Sequence, residues 1–284
     1  MPFDMHMHST ASDGRVAPEH LPQLVKDAGL AGFSLTDHDA VAGLPRAAAA
    51  AAELGLAFIP GIEISCEAND HDIHVLGYWF DADKMQADGR LQLLAEARVK
   101  RVEAIAHRLQ ILGMPVDIDA ILDKGTECTL GRPHVAAAMV EKGYVNTPRE
   151  AFIKWLGRGM PAFVPRYKLS VEESVEMIKG AGGVAVLAHP GPSDADFLLP
   201  KLTRMGFAGL ECYHSDHNKE AERRYAHFAR QHRLAVMGGS DFHHLGTRPI
   251  GCRRTMLAQL EWLCRYLPAN RKPQLPREDA AENK

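Results

Sequence analysis

Short apolar runs alternate with amphipathic runs of helical period along most of this chain. The apolar runs predict seven strands, at Phe3–His8, Gly32–Asp37, Ala57–Glu63, His74–Phe80, Val184–His189, Gly209–Tyr213 and Ala235–Ser240. The helical runs between them are Pro18–Ala28, Leu44–Leu54, Val171–Ala181, Phe197–Met205 and His217–His232. Such alternation is typical of an α/β fold with a parallel sheet and crossover helices. About seven units favour a barrel over two separate sheets.

The alternation stops between Ala82 and Lys168, where the pattern is mostly helical. The helices predicted there are Leu91–Leu112, Pro133–Lys142 and Pro148–Leu156. We therefore expect residues 98–166 to form a helical insertion that contributes to substrate binding. Residues 1–97 and 167–267 would form a discontinuous barrel, and 268–284, rich in proline and charge, a flexible tail.

Composition and charge exclude several classes of protein. The formal net charge of the 284 residues is −3, which argues against a broad, non-specific nucleic-acid surface. The five cysteines are widely spaced and contain no CxxC pair, so neither a disulfide framework nor a zinc knuckle is indicated. The N-terminus lacks the pattern of a signal peptide, and no run of about 18 apolar residues occurs. We expect a cytoplasmic protein with no membrane contact and no obligate protein partner.

The chain contains 15 histidines, and many of them fall at the ends of the predicted strands. His6 and His8 are two residues apart, so on a strand they point to the same face. In barrels of alternating strands and helices, the chemistry lies at the carboxyl ends of the strands. His74 is the exception, because it opens its predicted strand. The candidate ligands are His6, His8, Asp13, His38, Glu63, His74, His189, Asp241 and His243.

Histidine and carboxylate without cysteine suit zinc, manganese or iron. Nine ligands exceed what one ion needs, so we expect two or three divalent ions that share a bridging carboxylate, with Glu63 as the bridge. Manganese is expected ahead of zinc or iron. The alternative for any single histidine is a hydrogen-bonded structural residue, but seven strand ends with histidine or carboxylate are hard to obtain by chance.

Seven motifs in this order resemble the polymerase and histidinol phosphatase (PHP) family of metal-dependent phosphoesterases. They are D-M-H-M-H-S, S-D-G, T-D-H-D, G-I-E-I-S, H-V-L-G-Y, A-H-P and G-S-D-F-H, and they span about residues 3–245. The resemblance implies a distorted barrel of seven β/α units with a trinuclear metal site. It implies that the first ion is held by His6, His8, Glu63 and Asp241, the second by Glu63, His74 and His189, and the third by Asp13, His38 and His243.

Two further motifs, G-R-P-H at Gly131–His134 and V-P-R-Y-K-L-S at Val164–Ser170, are similar to one branch of that family. The branch contains 3′,5′-nucleotide bisphosphate phosphatases, which convert pAp to AMP and phosphate. Some relatives are 5′-to-3′ exoribonucleases on short RNA. The resemblance implies that Arg132 and His134 bind the second phosphate, where a planar guanidinium fits phosphate geometry. The alternative for Arg132 is a solvated residue at a helix start.

Adjacent divalent ions lower the pKa of a bridging water, which supplies hydroxide near neutral pH. Attack on the 3′-phosphorus expels the ribose oxygen, which needs a proton. His214 and His217, just beyond the sixth strand, are candidate proton donors or phosphate contacts. We count His214 and Asp241 as catalytic, and Arg132, His134, His214 and His217 as substrate-binding. The alternative for His217 is a surface residue at a helix start.

The leading hypothesis is a 3′-phosphatase that acts on nucleotide 3′,5′-bisphosphates. The first alternative is a phosphodiesterase that trims short 5′-phosphorylated RNA at the same site. A C–N hydrolase on a similar metal barrel is a third reading, although Arg132 argues for phosphate. The last is a metal-binding module without activity, which would be expected to lose ligands that this chain keeps.

Overall fold

The computed structural model describes residues 1–124 and 129–276. The chain divides into two compact units. One consists of Met1–Asp88 together with Leu169–Lys284, and the other is Gly89–Lys168. Cys128 and the end of the expected tail, from residue 277, lie outside the described residues.

The first unit contains the sheet, which has nine strands within the described residues. They are β1 (Pro2–Asp4), β2 (Gly32–Leu35), β3 (Ala57–Ala68), β4 (His71–Tyr78), β5 (Leu169–Ser170), β6 (Val184–Leu187), β7 (Gly209–Tyr213), β8 (Ala235–Gly238) and β9 (Thr255–Met256). Their order is β8-β7-β6-β4-β3-β2-β1-β9, with β5 beside β3. The hydroxyl of Thr255 accepts from the Gly238 N–H at 2.8 Å and donates to the Gly238 carbonyl at 2.7 Å. This contact joins the two ends of the order, so the expected barrel-like α/β fold is confirmed.

The expectation of parallel strands is wrong at β4. This strand pairs antiparallel with both β3 and β6, whereas β1, β2, β3, β6, β7 and β8 are parallel to one another. The cause is the two-residue turn between β3 and β4, where Asn69 and Asp70 have φ values of 50° and 64°. Two such residues are typical of the tight turn of a hairpin, which leaves no room for a crossover helix. The small strand β9 is also antiparallel, to β1.

Eleven α-helices occur in the described part of the chain, and α4 to α7 belong to the second unit. They are α1 (Leu21–Asp27), α2 (Leu44–Glu53), α3 (Ala82–Ala87), α4 (Arg90–Ile111), α5 (Ile118–Lys124), α6 (Arg132–Glu141), α7 (Pro148–Ala151), α8 (Val171–Gly180), α9 (Leu202–Met205), α10 (Lys219–Gln231) and α11 (Leu257–Leu263). Short 3₁₀ helices cover Pro18–His20, Ala195–Lys201, Cys264–Tyr266 and Ala269–Arg271, and a π-helical turn follows α7 at Phe152–Leu156. None of the helices in residues 1–124 and 129–276 is long and apolar enough to cross a membrane.

Each unit has its own apolar core. In the first, Phe3, Met5, Tyr78 and Met237 are buried in one cluster, and the Tyr78 hydroxyl donates to the Met5 carbonyl at 2.7 Å. In the second, the core includes the apolar face of α4, whose buried residues Val102, Ile105 and Leu109 recur at helical spacing. The core of the first unit includes residues of the strands whose ends carry the predicted ligands.

Candidate metal centre

The predicted ligands gather at one end of the sheet in the first unit. Parallel strands bring their carboxyl ends to the same edge, so the segments after β1, β2, β6 and β8 meet there. His74 joins them because β4 is reversed, which places the first half of that strand at this edge. His74 was the exception in the sequence because it opens its predicted strand, and the reversed direction of β4 explains its position.

The first group of ligand atoms belongs to His6, His8, Glu63 and Asp241, all of them buried. Oε2 of Glu63 lies 3.2 Å from His6 Nε2 and 3.1 Å from His8 Nε2. Oδ1 of Asp241 lies 3.4 Å and 3.2 Å from the same two nitrogens. The four ligand atoms all lie within 4.8 Å of one another, which is close enough for one ion to bind all of them.

The second group forms around the other side of Glu63. Its Oε1 lies 2.8 Å from His74 Nδ1 and 3.0 Å from His189 Nε2, while Oε2 lies 3.1 Å from His38 Nδ1. The atoms that meet as a compact set are those of His38, Glu63 and His74. One carboxylate therefore faces different imidazoles with each of its oxygens, which is the arrangement of a bridging ligand.

The third group is more open and consists of His8, Asp13, His38 and His243. His243 Nε2 lies 3.3 Å from Asp13 Oδ1, and His38 Nε2 lies 3.9 Å from Asp13 Oδ2. His8 is additional to the three residues that the resemblance implied for this ion. The three groups share His8, His38 and Glu63 and contain eight of the nine predicted ligands. His189, which the resemblance implied for the second ion, lies outside these groups, with its Nε2 3.0 Å from Glu63 Oε1.

Buried donor atoms without hydrogen bonds test whether these residues fit an ion. Within the described residues, His6 Nε2, His8 Nε2 and Glu63 Oε2 are buried and make no hydrogen bond, although the Glu63 oxygen lies 3.2 Å and 3.1 Å from the two nitrogens. Such atoms are rare in folded proteins, because an unmet polar group costs about 1–3 kcal/mol. Imidazole and carboxylate are ligands of zinc, manganese and iron, so the donor set fits divalent ions.

The electrostatics of the cluster favour cations. Burial by itself would raise the pKa of Glu63, but the surrounding histidines His38, His6 and His74 outweigh it and hold that pKa well below its usual range. The pKa of Asp241 is likewise low, since His6, His214 and His8 outweigh its burial. Both carboxylates are therefore ionised near neutral pH.

The two carboxylates also favour positive charge on an imidazole that lies between them. Burial lowers the pKa of His8, yet Asp241 and Glu63 outweigh burial and raise it to about 10. Burial prevails at His38, whose pKa falls to about 3. A divalent ion would compete with the proton on His8 because both use the ring nitrogens.

Asp37 holds the loop that carries Asp13. Its carboxylate accepts from the Ser9 N–H at 2.7 Å, the Ser9 hydroxyl at 2.6 Å and the Ser12 hydroxyl at 2.6 Å. Gly14 lies against the backbone of His8, where a Cβ would come within 2.6 Å of the carbonyl carbon. The serines and the glycine of the H-S-T-A-S-D-G segment thus fix the position of Asp13.

His214 is buried beside Asp241. Its Nδ1 accepts from the Asp216 N–H at 3.2 Å, so Nε2 carries the hydrogen and donates to Asp241 Oδ2 at 3.2 Å. Asp241 itself has a φ of 54°, and its N–H donates to the His6 carbonyl at 2.8 Å. The predicted proton donor therefore lies against a predicted metal ligand.

His217 is also buried, and both ring nitrogens bind backbone. Nδ1 donates to the Cys212 carbonyl at 2.9 Å, and Nε2 accepts from the Gly191 N–H at 3.2 Å. A Cβ at Gly191 would come within 2.8 Å of this ring. His217 braces the turn after His189, and its predicted contact with substrate stays a prediction.

The two predicted phosphate ligands of the insertion begin α6. The guanidinium of Arg132 donates to the Leu156 carbonyl at 3.2 Å and lies 5.4 Å from the centre of the Phe152 ring. His134 Nδ1 accepts from the Gly131 N–H at 3.2 Å. The G-R-P-H motif is thus a helix start whose side chains are held within the second unit, and its role toward phosphate stays a prediction.

Sequence reasoning missed two charged residues at the centre. Arg248 pairs with Asp241 and with Asp216, and it comes from a loop without periodic signal. Glu211 is buried in β7 and contacts His6 at 3.0 Å. A charged residue between the apolar Leu210 and Cys212 in a buried strand is a signal that could have identified it.

Comparisons with known proteins agree with this geometry. Residues 4–146 match the PHP domain family. The chain is 32% identical over 250 residues to a 3′,5′-nucleoside bisphosphate phosphatase of Chromobacterium violaceum, covering 86% of this chain and 88% of the relative. It is 34% identical over 248 residues to the 5′-3′ exoribonuclease Rnm of Salmonella typhimurium, covering 85% of each.

A solved structure is also similar. It is that of a Bifidobacterium adolescentis protein provisionally named a metal-dependent phosphoesterase, with a TM-score of 0.85 and 30% identity. The match covers 94% of this chain and 96% of the other.

Proposed function

This chain belongs to the PHP domain family and is a metal-dependent phosphoesterase, and on that basis we propose that it removes the 3′-phosphate from nucleotide 3′,5′-bisphosphates. The reaction converts pAp and water to AMP and phosphate. The observation that carries the proposal is the set of buried ligand atoms at Glu63 that make no hydrogen bond, together with the similarity to the bisphosphate phosphatase of C. violaceum. We propose manganese as the first candidate ion, with zinc and iron as alternatives.

Divalent ions held by these residues would supply an activated water and neutralise phosphate charge. The protein holds the ligand atoms in place. Glu63 is central to this arrangement because its two oxygens contact different imidazoles. Hydrolysis forms a bond from the water oxygen to phosphorus and breaks the bond to the ribose 3′-oxygen. The leaving oxygen then takes a proton.

His214 is our candidate donor of that proton. Its Nε2–H points at Asp241, at the edge of the ligand cluster, and Nδ1 accepts from the Asp216 N–H. To donate the Nε2 proton, this neutral ring must first take up a proton from water at Nδ1. Asp241 stays ionised, so it can hold the imidazole in place without taking the proton. Arg132 and His134 are our candidates for the second phosphate, and the similarity of their motif to the bisphosphatase branch supports that assignment.

A phosphate-release assay on purified protein tests the substrate. We expect faster release from pAp than from 3′-AMP, which lacks the second phosphate, and little from 5′-AMP. Equal or greater release from a simple sugar phosphate would contradict the proposal. His8→Ala provides the control, because a metal-independent contaminant would survive that change.

One observation favours a second candidate activity, that of an exoribonuclease. The Salmonella relative named as such is as similar to this chain as the phosphatase is. The same ligand groups would serve a diester, since only the leaving group differs. Release of nucleotides from a 5′-phosphorylated oligoribonucleotide at a rate above that for pAp would establish this activity as the principal one.

A further inference from the structure

Glu211 lies behind the ligand cluster and is outside all three ligand groups. It sits near the middle of β7 and is buried, as are its neighbours Leu210 and Cys212. Both carboxylate oxygens are used. Oε1 lies 3.0 Å from His6 Nδ1, and Oε2 accepts from the backbone N–H of His189 at 2.8 Å.

The first contact decides which nitrogen of His6 carries hydrogen. A carboxylate can only accept hydrogen bonds, and each oxygen of Glu211 lies within hydrogen-bond distance of a nitrogen atom. Nδ1 of His6 must therefore donate. In the neutral ring Nε2 then keeps its lone pair, and this is the atom that lies 3.2 Å from Glu63 Oε2.

The second contact fixes the end of β6. The N–H of His189 is the last donor before Pro190, which has none, so the position of this residue depends on the acceptor it finds. Glu211 supplies that acceptor, and the His189 ring reaches Glu63 Oε1 with Nε2 at 3.0 Å. One carboxylate thus holds residues that face the two different oxygens of Glu63.

Stability alone does not account for a carboxylate at this place. A fully buried charge loses its hydration, and apolar residues of similar volume often replace buried ionic groups at no cost to stability. The neighbouring residues in β7 are apolar, so the strand would form equally well with an apolar residue at this position.

We propose that Glu211 is a positioning residue of the metal centre, which orients His6 and His189 and sets the tautomer in which His6 binds an ion. The proposal rests on the metal centre that underlies the proposed function, but it does not depend on the substrate. Partners of metal-binding histidines commonly change metal affinity by about 10- to 100-fold. Glu211 would contribute in this range through two ligands at once.

The principal test compares Glu211→Gln with the wild type in the binding of Mn²⁺. Glutamine keeps the shape but offers one acceptor oxygen, so it loses either the His6 contact or the His189 contact. We expect affinity measured by titration calorimetry on chelator-treated protein to fall about 10- to 100-fold. The melting temperature of the metal-free protein should fall only modestly, because the change leaves one buried donor without its acceptor, and the variant should remain folded during the titration.

Glu222→Gln is the matched control. Glu222 is also a buried glutamate of the first unit, but it pairs with Arg253 at 2.6 Å and Lys219 at 3.1 Å, away from the ligands. Mn²⁺ affinity should be unchanged in this variant. A second comparison uses His6→Ala, in which Glu211→Gln should lower affinity by less than in the wild-type background, because the two residues act together.

Wild-type Mn²⁺ affinity in Glu211→Gln would overturn the proposal. The proposal would also be refuted if the metal-free variant were partly unfolded at the titration temperature. Unfolding would then explain the loss of affinity, and the role of Glu211 would be merely structural. If the glutamine variant does not fold, Glu211→Asp replaces it: its shorter side chain cannot reach both partners, and unchanged affinity there would also refute the proposal. Calorimetry needs no nucleotide, so failure of the substrate assignment would leave these results intact.

Discussion

Glu63 and His74 face each other across the hairpin of β3 and β4, with Glu63 Oε1 2.8 Å from His74 Nδ1. Their strands run in opposite directions, with Ser65 opposite His74 and Glu63 opposite Leu76. Glu63 is buried, whereas a quarter of the His74 side chain is exposed. The pair therefore connects a buried carboxylate to an imidazole that solvent can reach.

The first prediction concerns His74→Ala. Removing this imidazole takes one of the three donors from the group that it forms with His38 and Glu63. We expect the purified protein to hold about one metal equivalent less, with the group of His6, His8, Glu63 and Asp241 still loaded. Metal analysis by mass spectrometry checks this. His71→Ala, on the same strand beside Phe197, is the control, and an equal loss there would refute the assignment.

The second prediction concerns Arg132→Ala. If Arg132 binds the second phosphate, KM for pAp should rise by roughly 10- to 100-fold, the range of one or two charge-assisted hydrogen bonds. KM for 3′-AMP, which lacks the 5′-phosphate, should change little. Steady-state kinetics on both substrates gives this comparison. Arg149→Ala, an exposed arginine of α7, is the control for a general loss of positive charge.

The third prediction concerns Asp37→Asn. The amide keeps one acceptor oxygen and loses at least one of the three bonds that hold Ser9 and Ser12. We expect a loss of about 1–3 kcal/mol in the free energy of unfolding. Metal should be lost preferentially from the group that contains Asp13. Urea unfolding and metal analysis measure the two effects, and retention of both at wild-type values would contradict the prediction.

The fourth prediction concerns pH and His217. Burial lowers the pKa of this imidazole, so the folded state keeps it neutral while the unfolded chain takes up a proton below about pH 6.5. The stability that it contributes is present above that pH and is lost as the pH falls further. The difference in unfolding free energy between wild type and His217→Ala should therefore shrink between pH 7.5 and pH 5. Chemical denaturation across this range checks the slope, and a difference that grows on acidification would contradict it.

Much of the centre could be predicted because its ligands follow apolar runs, and parallel strands bring such positions to one edge. His6, His8, His38 and Asp241 were found in this way. The direction of β4 does not follow from its apolar run, because such a run reads the same for a parallel and an antiparallel strand. Only the turn residues Asn69 and Asp70 indicate the hairpin. Glu211 and Arg248 were missed for another reason. Their roles depend on contacts with residues 205 and 7 positions away, which hydrophobic periodicity does not report. For Glu211 the sequence offers only a single charge within an apolar run.

The two-residue turn at Asn69 and Asp70 has a consequence for how this chain can vary in evolution. Side chains alternate between the faces of a strand, so inserting or deleting one residue in the turn would shift the register and turn every side chain of β4 to the opposite face. His74 would then point away from Glu63, with no ligand replaced. The length of this turn should consequently be as constrained among functional descendants as the identity of the histidine itself.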